Sequence, residues 1–344
     1  MILIDGEPIE GGDLLRIILE NNSLKSASMT FLSDQIRSIP RQYQSICILQ
    51  GEQALVRLHQ DNHLHEVAQS RSGSSSASNS RLFIGSEDAT TCMIVVVHDP
   101  IAGIAWAAHY DEPLAENDRV SFLQDVAPLL SDGLASLFLL GAFEEPSGVS
   151  LRVCRALLRF FHETVSKRLN LSLACVHRAN TFGSGPAAGR PACVNLAVDC
   201  ETGRAHPACF EDRGPDLPRR MAYGHCSCSQ TEMNGPRLLH VYETSCSRFL
   251  LPGFDAKLPN WHIKALENLS RLDDAEFLRC VHCFEIFNFG TFRDMFLSRR
   301  GVPRSWKPPK TKLLSTFCQA ILDQSSLREG VLCEGCQSSA PMAP

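Results

Sequence analysis

Apolar positions crowd most sharply between residues 82 and 110. Leu82-Phe-Ile-Gly85 gives way to the polar Ser86-Glu-Asp-Ala-Thr-Thr-Cys92, and then to Met93-Ile-Val-Val-Val97. The β-branched run, bounded by turn residues, predicts a buried strand. His98-Asp-Pro-Ile-Ala-Gly103 reads as a turn and Ile104-Ala-Trp-Ala-Ala-His109 as the returning strand, so a β-hairpin is the simplest reading. Upstream, Ile2-Leu-Ile4 predicts a short strand and residues 13–20 a short helix. From Ser26 to Ser80 the periodicity weakens, and residues 69–80, rich in serine, read as a flexible segment. Downstream, three- and four-residue apolar steps predict helices at Arg119 to Leu130 and Leu151 to Arg168, with a central strand at Leu137 to Phe143 between them. Further strands are expected at 171–176, 193–198, 205–210 and 238–242, and a late helix at 273–289. Strands and helices mix without a βαβ repeat. The predicted class is therefore α+β, a mixed β-sheet or β-sandwich core flanked by helices.

Composition narrows the function. With 44% hydrophobic and 21% charged residues in 344, the chain can bury a sizeable core. We expect a single domain over residues 1–330 and a disordered tail at 331–344. The 33 Lys+Arg against 38 Asp+Glu leave a net charge of -5, without the basic field that holds nucleic acid. The basic stretch from Arg293 to Lys312 is interrupted by prolines and reads as a solvated loop. No secretory pattern opens the sequence and no run approaches a membrane span, so the expectation is a cytoplasmic, possibly nuclear protein with neither nucleic-acid nor membrane partner. In that reducing setting the fifteen cysteines would remain thiols.

The chemistry converges on the hairpin. Centred between Pro100 and Ile101, it would set Cys92 directly across from His109, with Cβ atoms roughly 4.5 to 5.5 Å apart. A thiolate is the reactive form of cysteine, and an adjacent imidazolium would favour it. Asp111, two residues beyond His109, could orient the ring or hold a substrate ammonium. On spacing alone, a small buried cysteine beside a satisfied core histidine is the commoner arrangement.

Gly85-Ser-Glu-Asp-Ala-Thr-Thr-Cys92 resembles the signature of the protein N-terminal asparagine amidohydrolase family, whose nucleophile is the cysteine ending that motif. Gly103-Ile-Ala-Trp-Ala-Ala-His109-Tyr-Asp111 is similar to its histidine-bearing strand, Leu139-Leu-Gly141-Ala-Phe143 to the next strand, and Asp212-Arg213-Gly214-Pro215 to a later turn. The likeness runs over roughly residues 80 to 285. Met93 and residues 41–80 depart from the pattern. The resemblance implies a sandwich-like β core and an amide hydrolase in which Cys92 attacks the side-chain amide of an N-terminal asparagine and His109 moves protons. Backbone N–H groups near Thr91 and Cys92 would face the oxyanion, and Asp88, then Asp111, then Glu87, would face the substrate's α-ammonium. It also implies protein or peptide substrates beginning with asparagine, and an aspartate product that enters N-degron-dependent, ubiquitin-linked proteolysis. Thiol-based amide hydrolysis calls for no cofactor.

Three rival readings stand beside it. Cys280-Val-His-Cys283 and Cys333-Glu-Gly-Cys336 have zinc-like spacing but lie too far apart in sequence for a known zinc module, and His225-Cys-Ser-Cys228 sits in a loop without a matched pair, so no metal is expected. A catalytically inactive homologue that binds chain termini would keep the fold without turnover. A deamidase of internal glutamine or asparagine would not need a free α-amino group. Oligomeric state is not legible.

Overall fold

The computed structural model describes residues 1–58, 81–111, 113–185, 189–217, 220 and 238–251. The Ser-rich segment 69–80, the late helix at 273–289, the basic stretch, the cysteine pairs beyond residue 220 and the terminal tail lie outside them.

The chain opens with β1 (Ile2–Ile4), β2 (Glu7–Pro8), α1 (Leu14–Glu20) and α2 (Asn22–Ser33). Asp13 caps α1 by accepting the Leu15 N–H at 3.2 Å. Three strands follow, β3 (Arg37–Ile39), β4 (Gln44–Ile48) and β5 (Glu52–Arg57). The weak periodicity after Ser26 therefore concealed real elements. β4 and β5 carry short apolar runs buried on both faces, which show no alternation. Next come β6 (Leu82–Ser86), β7 (Met93–Asp99) and β8 (Ile104–Tyr110), then α3 (Glu116–Ser121), which continues through π and 3₁₀ turns to Leu129. After β9 (Leu134–Phe143) and α4 (Val149–Arg159), extended by a π turn to Thr164, the chain enters β10 (Arg168–His177). The helix expected to reach Arg168 stops earlier because Arg168 already pairs with Leu134 of β9. β11 (Leu196–Asp199), β12 (Arg204–His206), β13 (Ala208–Phe210), β14 (Leu239–His240), β15 (Tyr242–Glu243) and β16 (Arg248–Phe249) complete the described elements. The strand expected over 205–210 is two, broken at Pro207, which has no N–H to give a ladder.

An eight-stranded mixed sheet runs β14-β5-β8-β7-β9-β10-β1-β2, and a four-stranded sheet runs β12-β11-β6-β4. The class is α+β, as the pattern of elements predicted. One face of the large sheet packs on the helices around an aromatic cluster in which Trp106 and Phe122 lie 4.9 Å apart, edge to face. Its other face meets the small sheet: Ile94, Val96, Ala105 and Ala107 pack against Ile46, Ile48, Ile84 and Val198. Residues 87–92 cross from β6 in the small sheet to β7 in the large one, so the polar motif is the bridge between layers.

The β7–β8 hairpin is antiparallel, with a register that differs from the expected one. Ile94, rather than Cys92, lies opposite His109. The cause is the turn. Asp99 accepts the N–H groups of Ile101 and Ala102 at 3.0 and 2.9 Å and the backbone N–H and hydroxyl of Ser131 at 2.7 and 2.8 Å, and Gly103 adopts φ +65. These bonds set a four-residue turn, Pro100 to Gly103, instead of a two-residue one. A shift of two positions preserves side-chain parity, so Cys92 and His109 still belong to one face.

Glycine is required at Gly141 of β9. It holds φ +115, and a Cβ there would lie 2.3 Å from the Cys92 carbonyl oxygen, whose neighbour Ala142 donates its N–H to that oxygen at 2.7 Å. Gly141→Ala should therefore lower stability by about 3 kcal/mol or more, read as a fall in Tm, from a strained φ together with the overlap. A variant melting with the parent would show that this approach is not obligatory.

Candidate active site

The crossing segment is fastened at each step. Asp88 sits at φ +67. Its N–H is accepted by the Asn195 side chain at 3.1 Å, and the Ala89 N–H by the Val194 carbonyl at 2.9 Å. Thr90 and Cys92 offer their carbonyls to Phe143 and Ala142 of β9. The Glu87 carboxylate is buried, accepts the Phe210 N–H and pairs with Arg213, which also reaches Asp88 at 3.2 Å. Arg213 comes from the Asp212-Arg-Gly-Pro215 turn singled out in the sequence, whose pairing the sequence could not disclose.

His109, in β8, is 1% exposed and points toward the small sheet. Its Nδ1 lies 2.7 Å from Ser86 Oγ, and that hydroxyl lies 2.6 Å from the Ile48 carbonyl. A carbonyl only accepts, so the single hydroxyl proton goes to Ile48 and Ser86 must accept from Nδ1–H. This fixes the tautomer: Nε2 carries the lone pair. Among the described residues Nε2 is buried without a hydrogen-bond partner. A buried nitrogen left unmatched is costly in a core and useful in a reaction centre.

Cys92 is buried at 6% exposure within the apolar layer between the sheets, in the cluster that also holds Ile94, Val96, Ala105 and Ala107. Cys92 lies just before β7, two residues from Ile94, and continuing the strand's alternation makes it a diagonal neighbour of His109, for which about 7 Å between Cβ atoms is usual. Burial drives the His109 pKa down to about 4, and the Asp111 carboxylate offsets this only in part. The expected resting imidazolium is therefore replaced by a neutral imidazole, because desolvation outweighs the nearby charge. Asp111 does not orient the ring's Nδ1, which Ser86 occupies. Its carboxylate accepts Gln50 Nε2 at 2.9 Å.

Sequence reasoning singled out Cys92, His109, Asp88 and Asp111; the structure sets Asp111 within electrostatic reach of the His109 ring, Cys92 in the layer between the sheets just before β7, and Asp88 beside Arg213. It missed Ser86, although that residue belongs to the quoted motif, because a serine there reads equally as a turn former. It also missed Ile48, Gln50 and Glu52, since a backbone carbonyl and two polar side chains in an unmotivated stretch carry no spacing signal. Glu52 is 1% exposed and Arg220 is fully buried against it, with Nε to Oε1 at 2.9 Å and Nη2 to Oε2 at 2.5 Å. Among the described residues no group of three or more His, Cys, Asp or Glu side chains is placed to hold a metal ion.

Comparison with known sequences bears on these residues. The family profile described as protein N-terminal asparagine amidohydrolase matches residues 43–282. The match begins well before residue 80, so β4 and β5 fall inside the region similar to the family. The human protein N-terminal asparagine amidohydrolase is 28% identical over 208 residues, covering 56% of this chain and 63% of that protein. The Arabidopsis thaliana protein of the same name is 26% identical over 225 residues, covering 57% of this chain and 60% of its own, and the mouse protein is 26% identical over 196 residues, covering 56% and 63%. The chain thus spans about three fifths of the length of the curated relatives it matches.

The depressed His109 pKa has a thermodynamic signature. The unfolded chain takes up this proton near the ordinary value of 6.5, whereas the folded chain resists it to about 4. Stability is therefore undiminished by this group above pH 6.5 and is lost as pH falls from 6.5 toward 4, by on the order of 3 kcal/mol. His177 and His206, also lowered by burial, act in the same direction. Thermal melts across that window should fall more steeply for the parent than for His109→Gln, and parallel slopes would contradict a buried neutral ring.

Proposed function

The chain belongs to the protein N-terminal asparagine amidohydrolase family, and on that footing we propose that it converts N-terminal asparagine of proteins or peptides to aspartate through a thioester on Cys92. The observation that carries the reading is the His109 ring: tethered through Nδ1, with Nε2 unmatched on the face that Cys92 shares.

In this mechanism Nε2 takes the Cys92 proton as sulfur attacks the side-chain amide carbon, so no thiolate need accumulate beforehand. The new C–S bond forms as the carbonyl electrons move to oxygen. When the tetrahedral species collapses, the C–N bond breaks and the imidazolium delivers the same proton to the departing nitrogen, which leaves as ammonia. Water then adds to the thioester, giving its proton to Nε2. Collapse expels the cysteine sulfur, which recovers that proton, and an aspartate side chain remains. An imidazolium buried at this site is a strong acid, which favours transfer to the leaving group. The N–H groups near Thr91 and Cys92 are the proposed donors to the oxyanion.

For the α-ammonium, Asp88 shares its charge with Arg213. Asp111 lies two residues along from His109, just past the end of β8, and acts electrostatically on that ring. We therefore favour Asp111 as the carboxylate that reads the terminus. Release of an N-terminal aspartate would feed the N-degron-dependent branch of proteolysis, in a cytoplasmic or nuclear setting.

Ammonia release and the amide-to-acid mass change on an Asn-initiated peptide should vanish in Cys92→Ala and His109→Ala. Acetylating the peptide's α-amino group should abolish conversion by the parent. Unchanged turnover of the blocked peptide would point to internal deamidation instead, and a folded parent that binds the peptide without converting it would point to an inactive homologue. Asp111→Asn should raise KM roughly tenfold, with little change in kcat and more than Asp88→Asn does, as expected for loss of one charge-assisted hydrogen bond. Steady-state kinetics of the two variants would separate the carboxylates, and a larger KM effect at Asp88 would reverse the assignment.

A further inference from the structure

The His109 ring is connected to a charge that the mechanism above does not use. Its Nδ1–H points to Ser86 Oγ at 2.7 Å, and the Ser86 hydroxyl points to the Ile48 carbonyl at 2.6 Å. That carbonyl belongs to the same planar peptide unit as the Leu49 N–H, which is trans and therefore points the opposite way. The Leu49 N–H is accepted by Glu52 Oε2 at 2.7 Å. Every donor in the series thus faces away from the ring and toward one carboxylate, 1% exposed, at its far end.

We infer that Glu52 is a positioning residue for His109, acting through the Ile48–Leu49 peptide and Ser86 as the distant counterpart of the carboxylate that hydrogen-bonds histidine directly in many hydrolases; the inference rests on the catalytic reading of His109. Aligned donors polarise one another in a low-dielectric interior. A proton arriving at Nε2 makes Nδ1–H a stronger donor, and the chain passes that polarity to an anion already in place. No proton needs to leave the ring on this side. The charge acts at a distance, so it steadies the imidazolium formed during turnover without holding the resting ring protonated, in keeping with a neutral His109 at rest.

Arg220 completes the device. Fully buried, it holds both Glu52 oxygens, donates from Nη2 to the Cys47 carbonyl at 2.7 Å and from Nη1 to the Arg213 carbonyl, and lies over the Phe249 ring at 5.0 Å. Glu52 is thereby fixed in direction, with both oxygens held by the guanidinium. The peptide units on either side of Ile48 are both pinned, one by the guanidinium and one by the carboxylate. A buried ion pair contributes little net stability against an apolar replacement. Its directional bonds are what this site uses.

Two variants test the inference. E52Q/R220Q removes both charges while leaving amide groups able to hydrogen-bond, and E52D keeps the ion pair while drawing the carboxylate back from the Leu49 N–H. Each is read by melting temperature, by the proton NMR resonances of His109 Nδ1–H and the Leu49 amide, and by kcat and KM on an Asn-initiated peptide. In the parent the Nδ1–H resonance should be well downfield, as for a short hydrogen bond. In folded E52Q/R220Q and in E52D it should move upfield, with kcat lower by about 10- to 100-fold, the range usual for outer partners of a working histidine, and KM little changed. A variant that folds and keeps the parent's Nδ1–H resonance and kcat overturns the inference. Should E52Q/R220Q fail to fold, E52D decides alone. If the parent shows no turnover, the substrate reading fails, and the Nδ1–H resonance still decides the relay, because it needs no substrate.

Discussion

An imidazole can sit inside an apolar layer with one nitrogen unmatched only when the other is firmly engaged, since a ring free to rotate or exchange tautomers would present no defined base. Ser86 supplies that engagement, and the Ile48 carbonyl gives Ser86 its direction. The architecture around them follows from this need. The acceptor for the ring comes from the small sheet, the ring itself from the large one, and Cys92 from the crossing segment just before β7. Two layers packed face to face, joined by a short polar crossing, bring these three together.

The crossing is also where backbone strain collects. Asp88 and Ala142 hold positive φ, and Gly141 stands where no side chain fits. Such conformations cost free energy and persist because Arg213, Asn195 and the end of β9 over-determine them. The carboxylates of Glu87 and Asp88 thus serve Arg213 first. A charge in the sequence motif turned out to be part of the frame, and the more modest Asp111 is the one that acts electrostatically on the ring.

The hairpin of β7 and β8 was legible because its β-branched run and its turn residues agree, and the central strand β9 was legible for the same reason. Its register was not. Pro100 suggested a two-residue turn, whereas the bonds that Asp99 makes to Ile101, Ala102 and Ser131 are tertiary facts. Of the site, Cys92 and His109 could be paired by parity and by likeness to a family motif, and a register slip of two leaves parity intact. Ser86, Ile48 and Glu52 could not be paired, because the contacts among β4, the turn after it and β6 span about forty residues and join a hydroxyl to a backbone carbonyl. The protonation state was equally hidden: a sequence tells which groups are near in number, and only burial tells which of them can bear charge.

The ring of His109 hangs from one layer and is moored to the other, so it behaves as a strut across the gap between β8 and β6. Side chains such as Ile84, Val96 and Ala107 set the width of that gap. Their volume therefore reaches the ring directly. A methyl group gained or lost among them alters the span of the strut before it unravels the molecule, so the setting of the ring and the packing of this interior answer to a single length.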